Sequence, residues 1–216
     1  MREQLTYYSN GKLLITGEYV VLDGATALAI PTKYGQSLCI KKSTTSGIHW
    51  ISKDHTRATW FEAQIETETL TASNRSNISD TLCTILQTAR NHNPSFLIKC
   101  EGLTVVTALD FPRDWGLGTS STLINNIAQW AQIDAFTLLK ESFGGSGYDI
   151  AAAQHNTPIF YTVKRHEPEV LPCTLSWSFT DHLFFVHLNQ KKDSKKGIET
   201  YKNIKKDARL VETISD

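Results

Sequence analysis

The sequence changes character near residue 119, and this change constrains the fold more than any other feature. Before it, Gly, Asp, Ser and Lys separate five segments rich in β-branched and aromatic residues, the pattern of strands: 12–22, 25–30, 37–42, 47–52 and 58–65. After it, apolar residues recur at steps of three and four, which indicates helices. The chain is therefore predicted to be an α+β protein with a strand-rich first half.

Local start and stop signals place the other elements. A helix is predicted over 79–94, with Ser79 as its cap and Pro94 as its end. Asp134 is predicted to cap a helix over 133–143, between two further helices at 120–132 and 147–156. The remaining predicted strands are 96–101 and 103–109, a pair around Gly102, and then 158–163 and 182–188.

The charge balance narrows the function class. Among 216 residues, 22 Lys and Arg stand against 22 Asp and Glu, so we expect neither nucleic acid nor a membrane as a partner. Seven lysines fall between 191 and 206, but Asp193 and Glu199 interrupt them, which favours a solvated helix face over a partner-binding patch. With no apolar run of membrane-spanning length and no visible secretory signal, a cytoplasmic protein is expected.

The positions of the cysteines and histidines give little support to disulfide bonds or to a structural metal site. Cys39, Cys83, Cys100 and Cys173 are far apart and form no CxxC pair. This spacing favours reduced thiols and leaves disulfides open as the alternative. No HExxH pattern occurs, so a structural metal site is not expected.

The stretch DWGLGTSST, residues 114–122, is the first candidate functional motif. Two glycines, Gly116 and Gly118, let a backbone approach a ligand closely, and the hydroxyls of Thr119, Ser120 and Ser121 follow them at a predicted helix start. Amide groups at such a helix start form an anion site. The alternative is a tight turn with a good helix cap.

Two other stretches carry ionisable groups beside glycine turns. Lys12 precedes a predicted strand, and Asp149 opens an alanine-rich helix after a Gly-Ser-Gly turn. Taken singly, they are explained as a surface lysine and as a carboxylate favoured by the helix dipole. Together with residues 116–121 they supply the parts of a phosphoryl-transfer site: amides, a metal-binding hydroxyl, a cation and a base. The GxxxxGK[ST] pattern is absent, so an ordinary P-loop is not indicated.

These motifs resemble those of the GHMP kinases, the family of galactokinase, homoserine kinase, mevalonate kinase and phosphomevalonate kinase. The resemblance spans residues 11 to about 190, and the wording SGYDIAAA is similar to the GYDIA subgroup. The family's phosphate loop P-x-x-x-G-L-G-[ST]-S matches Pro112, Gly116, Leu117, Gly118, Thr119 and Ser120. Its N-terminal motif matches Gly11, Lys12, Gly17, Glu18, Tyr19, Val21 and Gly24, and its S-G-x-D motif matches Ser146, Gly147 and Asp149.

The resemblance implies a role for each matching residue. Asp149 would accept the proton of the acceptor hydroxyl, and Lys12 would polarise that hydroxyl and pair with Asp149. The backbone of the loop would hold the ATP phosphates, and Ser120 would help to hold Mg²⁺. The loop residues with this implied role are Gly116, Leu117, Gly118, Thr119, Ser120 and Ser121, and those expected near the acceptor are Glu18, Tyr19, Ser146 and Gly147.

The sequence also departs from the family pattern. Asn10 replaces the usual proline before Gly11, and Asp114 and Trp115 occupy loop positions that are usually small and neutral. Leu138 stands where mevalonate kinases carry a glutamate that binds Mg²⁺. Glu141 is the nearest substitute for that ligand.

The fold implied by the resemblance is a ribosomal protein S5 domain 2-like domain over 1–175. Residues 176–216 would begin an incomplete, ferredoxin-like C-terminal domain. The implied activity is ATP-dependent phosphorylation of a mevalonate-like metabolite in isoprenoid biosynthesis. A diphosphomevalonate decarboxylase-like enzyme and a non-catalytic small-molecule sensor remain as alternatives. With the second domain incomplete, we expect exposed apolar surface that favours association, with a homodimer left open, and weak Mg-ATP binding with little turnover.

Overall fold

The computed structural model describes residues 4–98, 102–165, 167–188, 194–203 and 208–215. Among them, one mixed sheet has seven strands: β1 (Gln4–Thr16), β2 (Ala27–Lys42), β3 (Ile48–Lys53), β4 (Thr59–Ile65), β5 (Leu103–Leu109), β6 (Ile159–Lys164) and β7 (Glu167–Pro172). Their order is β4-β3-β5-β2-β6-β7, and β1 runs antiparallel along β2. Only β3 and β5 pair in parallel within this described sheet. The α+β prediction is confirmed.

Six helices lie in the described part of the chain: α1 (Asn77–His92), α2 (Thr119–Ala131), α3 (Ala135–Ser142), α4 (Tyr148–Gln154), α5 (Ser194–Lys202) and α6 (Ala208–Ser215). Helices α1 to α3 bury their apolar faces in the main core, where Leu86, Ile124 and Leu138 meet Trp50 and Val105 of the sheet. Helix α4 packs its alanines against β1, β2 and β6 in a second cluster. Burial of these faces is the main stabilising contribution to the fold.

The helix predictions in the second half are confirmed. Helices α2, α3 and α4 lie where the sequence places them, and the Asp134 carboxylate accepts from the backbone N–H of Thr137 at 2.6 Å. In α1 the cap is Ser76, three residues before the predicted Ser79. Ser79 completes a reciprocal capping box, because its hydroxyl accepts from the Ser76 N–H.

Several strand predictions are corrected. The predicted strand 12–22 ends at Thr16, and a short 3-10 helix, Val20–Asp23, follows it. The predicted strands 25–30 and 37–42 are parts of one long strand, β2. Of the predicted strand 96–101, residues 96–98 form a turn whose Phe96 and Leu97 carbonyls accept from Arg90 of α1, and residues 99–101 lie outside the described residues. Strand β7 is an element that sequence patterning missed.

The predicted strand 182–188 is wrong. His182 ends a 3-10 turn, and residues 183–188 have no regular structure. A strand needs a neighbour to accept its ladder of hydrogen bonds, and none of the described strands pairs with this segment. Its apolar side chains are therefore exposed, with Phe184 83% accessible.

The sequence favours reduced cysteines and predicts no membrane-spanning segment. Cys39, Cys83 and Cys173 are free thiols, and Cys100 lies outside the described residues. In the described part of the chain, no helix combines the length and apolar character that a membrane crossing requires.

Candidate functional site

Strand β1 brings Lys12 against the glycine-rich loop. The backbone N–H of Lys12 donates to the Leu117 carbonyl at 3.0 Å, which ties the strand to the loop. At Gly11 an added Cβ would lie 2.9 Å from that same carbonyl and 2.7 Å from Thr32 Oγ1. Glycine at position 11 therefore permits the close approach of strand and loop.

The loop leads directly into α2. Leu117 is buried among Leu13, Leu109 and Phe111, which anchors the loop to the core. Gly118 stands at the helix start in the left-handed region, with φ of 89°, and its carbonyl accepts from the Thr122 N–H at 3.0 Å. By helix geometry, the N–H groups of the next three residues have no carbonyl partner within the helix. The first turn of α2 carries no acidic residue, so this positive helix end is available to an anion.

Helix α4 carries Asp149 in its first turn. The hydroxyl of Tyr161 donates to the Ser146 carbonyl, which fixes the turn that precedes the helix. The Ile150 N–H donates to Asp149 Oδ1 at 3.1 Å. Ser146 and Gly147 thus shape the turn that places the carboxylate.

Ser121 connects the loop to Asp149. Its hydroxyl donates to the Gly118 carbonyl at 2.9 Å, and the same side chain lies beside the Asp149 carboxyl. Burial raises the pKa of that carboxyl above its ordinary value, while the charge of Lys12 and hydrogen bonds from the neighbouring backbone act in the opposite direction. The structure therefore brings Lys12, Ser121 and Asp149 together from three distant parts of the sequence.

The family resemblance predicts that Lys12 pairs directly with Asp149, and the structure gives Lys12 a different hydrogen-bond partner. None of the ion pairs among the described residues joins them. Lys12 Nζ instead donates to the Tyr148 hydroxyl at 3.1 Å and lies 5.2 Å from the centre of that ring. Burial and the nearby Asp149 charge raise the pKa of the Tyr148 phenol, which keeps it protonated. Sequence reasoning missed Tyr148, whose only signal was its position next to Asp149.

The segment after β1 holds Glu18 and Tyr19, the two residues of the N-terminal motif that are expected near the acceptor. Glu18 is exposed, and its charge contributes to the raised pKa of Tyr148, which places it near the site. Tyr19 adopts a φ of 62° and stacks on Tyr201 of α5, with ring centres 5.7 Å apart. Tyr201 also donates to the Asp23 carboxylate. Helix α5 therefore packs on the turn that carries Glu18 and Tyr19.

The two predicted metal ligands lie in different surroundings. Ser120 is exposed in the first turn of α2, beside the loop. Glu141 Oε2 lies 2.9 Å from His92 Nε2 at the end of α1. Among the described residues, no hydrogen bond or ion pair joins Glu141 to Asp149 or to the loop. In the described part of the chain, the polar partner of Glu141 is therefore His92, and Glu141 does not join the group around Asp149 through a hydrogen bond or an ion pair.

Comparison with solved structures identifies the fold. The mevalonate kinase of Methanococcus jannaschii matches 99% of this chain at 13% identity, with a TM-score of 0.65. A mevalonate kinase of L. major, solved with R-mevalonate, matches 79% at 16% identity and a TM-score of 0.57. A putative sugar kinase of Campylobacter jejuni matches 81% at 19% identity and a TM-score of 0.59. The chain has the GHMP kinase fold.

The chain spans only part of the length of each of these solved structures. This chain spans 70% of the M. jannaschii structure, 60% of the C. jejuni structure and 52% of the L. major structure. No protein-family model matches the chain, and no curated protein matches it by sequence. At these identities the likeness establishes the fold alone.

Proposed function

We propose that this chain carries the ATP-binding site of a GHMP-type small-molecule kinase. The observation that carries the proposal is the meeting of Lys12, the start of α2 and Asp149 at one place. A cation, unpaired amides and a base at one place are what phosphoryl transfer requires. The GHMP fold of solved mevalonate kinases and sugar kinases supports the same class.

The loop has the shape needed for a phosphate chain. A Cβ at Gly116 would meet no atom within 4 Å, so there is space beside the backbone there. A Cβ at Gly118 would lie 2.7 Å from Ser121 Oγ, so the backbone is already closely packed on its inner side. We propose that residues 116–121 bind the phosphates of ATP through backbone amides and the positive end of α2. Bound Mg²⁺ would neutralise the charge that develops on the phosphates.

Asp149 is the proposed base. Its raised pKa favours proton acceptance, and the charge of Lys12 opposes that shift and so favours the ionised form that a base requires. Lys12, fixed by Tyr148, would stabilise the developing negative charge on the acceptor oxygen. Ser120 is the proposed metal ligand on the loop, and Glu141 would have to leave His92 to join it.

The acceptor is proposed to be a mevalonate-like hydroxylated metabolite or its phosphate, held near Glu18, Tyr19, Ser146 and Gly147. The proposed domain division remains 1–175 for the ATP-binding domain and 176–216 for the start of a second domain. The proposed role is in isoprenoid biosynthesis, and the proposed location is the cytoplasm.

The test is Mg-ATP binding by calorimetry, followed by ADP release with mevalonate, phosphomevalonate, diphosphomevalonate and galactose. ADP release that depends on one acceptor and is lost in Asp149→Asn supports a kinase. Release of CO₂ and inorganic phosphate would indicate a diphosphomevalonate decarboxylase-like enzyme instead of a kinase. Mg-ATP binding without turnover on any acceptor would indicate a non-catalytic sensor. No binding at millimolar Mg-ATP would overturn the proposed site.

A further inference from the structure

A layer of buried polar side chains lies between strands β1 and β2 and helix α2. Its members are almost completely inaccessible to solvent: Ser9 0%, Gln36 2%, Thr122 0%, Asn125 1% and Asn126 0%. Polar groups in such positions destabilise a fold unless each finds a hydrogen-bonding partner. These polar side chains occupy positions where apolar side chains would usually pack.

The layer is a continuous chain of hydrogen bonds. The Ser9 hydroxyl donates to Asn126 Oδ1 at 2.8 Å and accepts from Asn125 Nδ2 at 2.8 Å. Asn126 Nδ2 donates to the Gln36 carbonyl at 2.9 Å. The Thr122 hydroxyl lies 2.7 Å from Gln36 Oε1 and 3.0 Å from the carbonyl of Gly118. The chain therefore reaches the glycine-rich loop at one end.

The other end of the chain reaches helix α4. Gln154, the last residue of α4, donates from Nε2 to Asn125 Oδ1 at 3.0 Å. Asn10 of β1 donates to the carbonyl of His155 at 2.7 Å and to Asn156 Oδ1 at 2.8 Å. The C-terminal end of α4 is thereby bonded to both α2 and β1.

These bonds connect the three elements that carry the site. Strand β1 supplies Ser9 and Asn10 to the layer and Lys12 to the site. Helix α4 has seven residues, and Asp149 lies only five residues, or about 7.5 Å of helix axis, before Gln154. In the second cluster the face of α4 is made of alanines, Ala151 and Ala152, while Ile150 anchors the start of the helix in the main core. The small side chains interlock weakly, so directional bonds at the end of α4 contribute to fixing its rotation and depth.

We infer that Asn125 and Gln154 are positioning residues for Asp149. Their hydrogen bond holds the end of α4 to α2, and so sets the carboxylate against Ser121 and Lys12. This inference rests on the proposed function for its kinetic consequence, while its structural consequence is independent of turnover. A displacement of about 1 Å at a reacting group can reduce a rate by about 100-fold.

The test compares Gln154→Ala and Asn125→Ala, singly and together, with two controls. Gln129→Ala alters an exposed position on α2, and Ile85→Val loosens the core under α1, away from the layer. We expect kcat to fall about 10- to 100-fold in each single variant, with KM for ATP within about twofold of the parent. The double variant should lose no more than Asn125→Ala, because both single variants remove the same bond between Asn125 and Gln154, and Asn125→Ala also removes the bond to Ser9. Ile85→Val should lower the melting temperature without lowering kcat.

Hydrogen exchange measured by mass spectrometry separates this inference from the proposed function. In Gln154→Ala, which replaces an exposed residue and should fold, faster exchange is expected in α4 and at residues 118–122. That pattern would support the inference even if the parent protein showed no kinase activity. Uniformly faster exchange throughout the protein, or a kcat in Gln154→Ala equal to that of an active parent, would overturn it.

Discussion

The ammonium of Lys12 donates a hydrogen bond to the hydroxyl of Tyr148, 3.1 Å away, and lies 5.2 Å from the centre of the same ring. Tyr148 immediately precedes Asp149 on α4. The residue beside the proposed base therefore holds the proposed cation. This relationship makes the position of the Lys12 charge dependent on the same helix that carries the carboxylate.

Replacing Tyr148 by Phe should impair turnover while preserving the fold. The ring remains, but the hydroxyl that holds Lys12 Nζ is lost. Hydrogen bonds to charged groups contribute about 1.5–3 kcal/mol, which corresponds to a loss in kcat of about 10- to 100-fold. Steady-state kinetics measures the effect, and Tyr34→Phe, at a half-exposed ring on β2, is the matched control. A kcat in Tyr148→Phe equal to that of Tyr34→Phe would contradict the role.

Replacing Gly118 by Val should abolish Mg-ATP binding. The position has a φ of 89°, and a Cβ there would lie 2.7 Å from Ser121 Oγ and 3.3 Å from Lys12 Cγ. A branched side chain would thus push apart the residues that form the site. Gly144→Val controls for backbone strain, because Gly144 has a φ of 80° and no atom near its Cβ position. If calorimetry finds parental affinity in folded Gly118→Val protein, residues 116–121 do not bind the phosphates.

Local sequence patterns predicted the helices around the site, because helix caps and glycine turns act within a few residues. Asp134 caps α3 as expected, and the glycine-rich motifs before α2 and α4 stand at real helix starts. The meeting of Lys12 and Asp149 followed from the family resemblance, since no spacing in the sequence relates residues that lie so far apart.

What could not be predicted depends on tertiary contacts. The bond between Lys12 and Tyr148 spans 136 positions, and that between Ser9 and Asn126 spans 117. Ser9 and Asn126 look like ordinary polar residues until the strand and helix that carry them are packed together. The segment 182–188 shows the converse failure, because strand-like composition cannot provide the neighbouring strand that pairing requires.

Replacing Asp149 by Asn should lower turnover and raise the stability of the fold. Asn cannot accept the proton, so turnover should fall by about 10²–10⁴ with ATP affinity little changed. The folded-state pKa of Asp149 is raised by burial, so the free energy of unfolding falls as pH rises from the ordinary aspartate pKa through the raised one. This cost builds up between the ordinary aspartate pKa and neutral pH, and an uncharged Asn avoids it.

The variant is therefore expected to melt at a higher temperature than the parent at neutral pH. The difference should disappear below the ordinary aspartate pKa, where both side chains are neutral. Thermal melts across this pH range, run beside the kinetics, measure both effects. If Asp149 serves only the helix dipole, Asp149→Asn would instead lower the melting temperature and leave the rate per folded molecule unchanged.

The segment 183–188 should drive association of the protein with itself. Phe184, Val186 and Leu188 are 83%, 78% and 75% exposed, while His187 lies 4.0 Å from Asp114 and beside Trp115 on the loop. The side chain of His187 thus lies against the loop, while Phe184, Val186 and Leu188 form an apolar edge that faces solvent. Exposed apolar edges of this kind favour contacts between molecules.

Phe184→Glu should weaken that association. Burial of one aromatic side chain contributes about 1.5–3 kcal/mol, so the dissociation constant should rise by about 10- to 100-fold. Gln129→Glu adds the same charge at an exposed site on α2 and should leave association unchanged. Light scattering over a concentration series measures the average mass of each variant. A parent protein that stays monomeric at every concentration, or equal association of the two variants, would show that this apolar edge does not mediate self-contact.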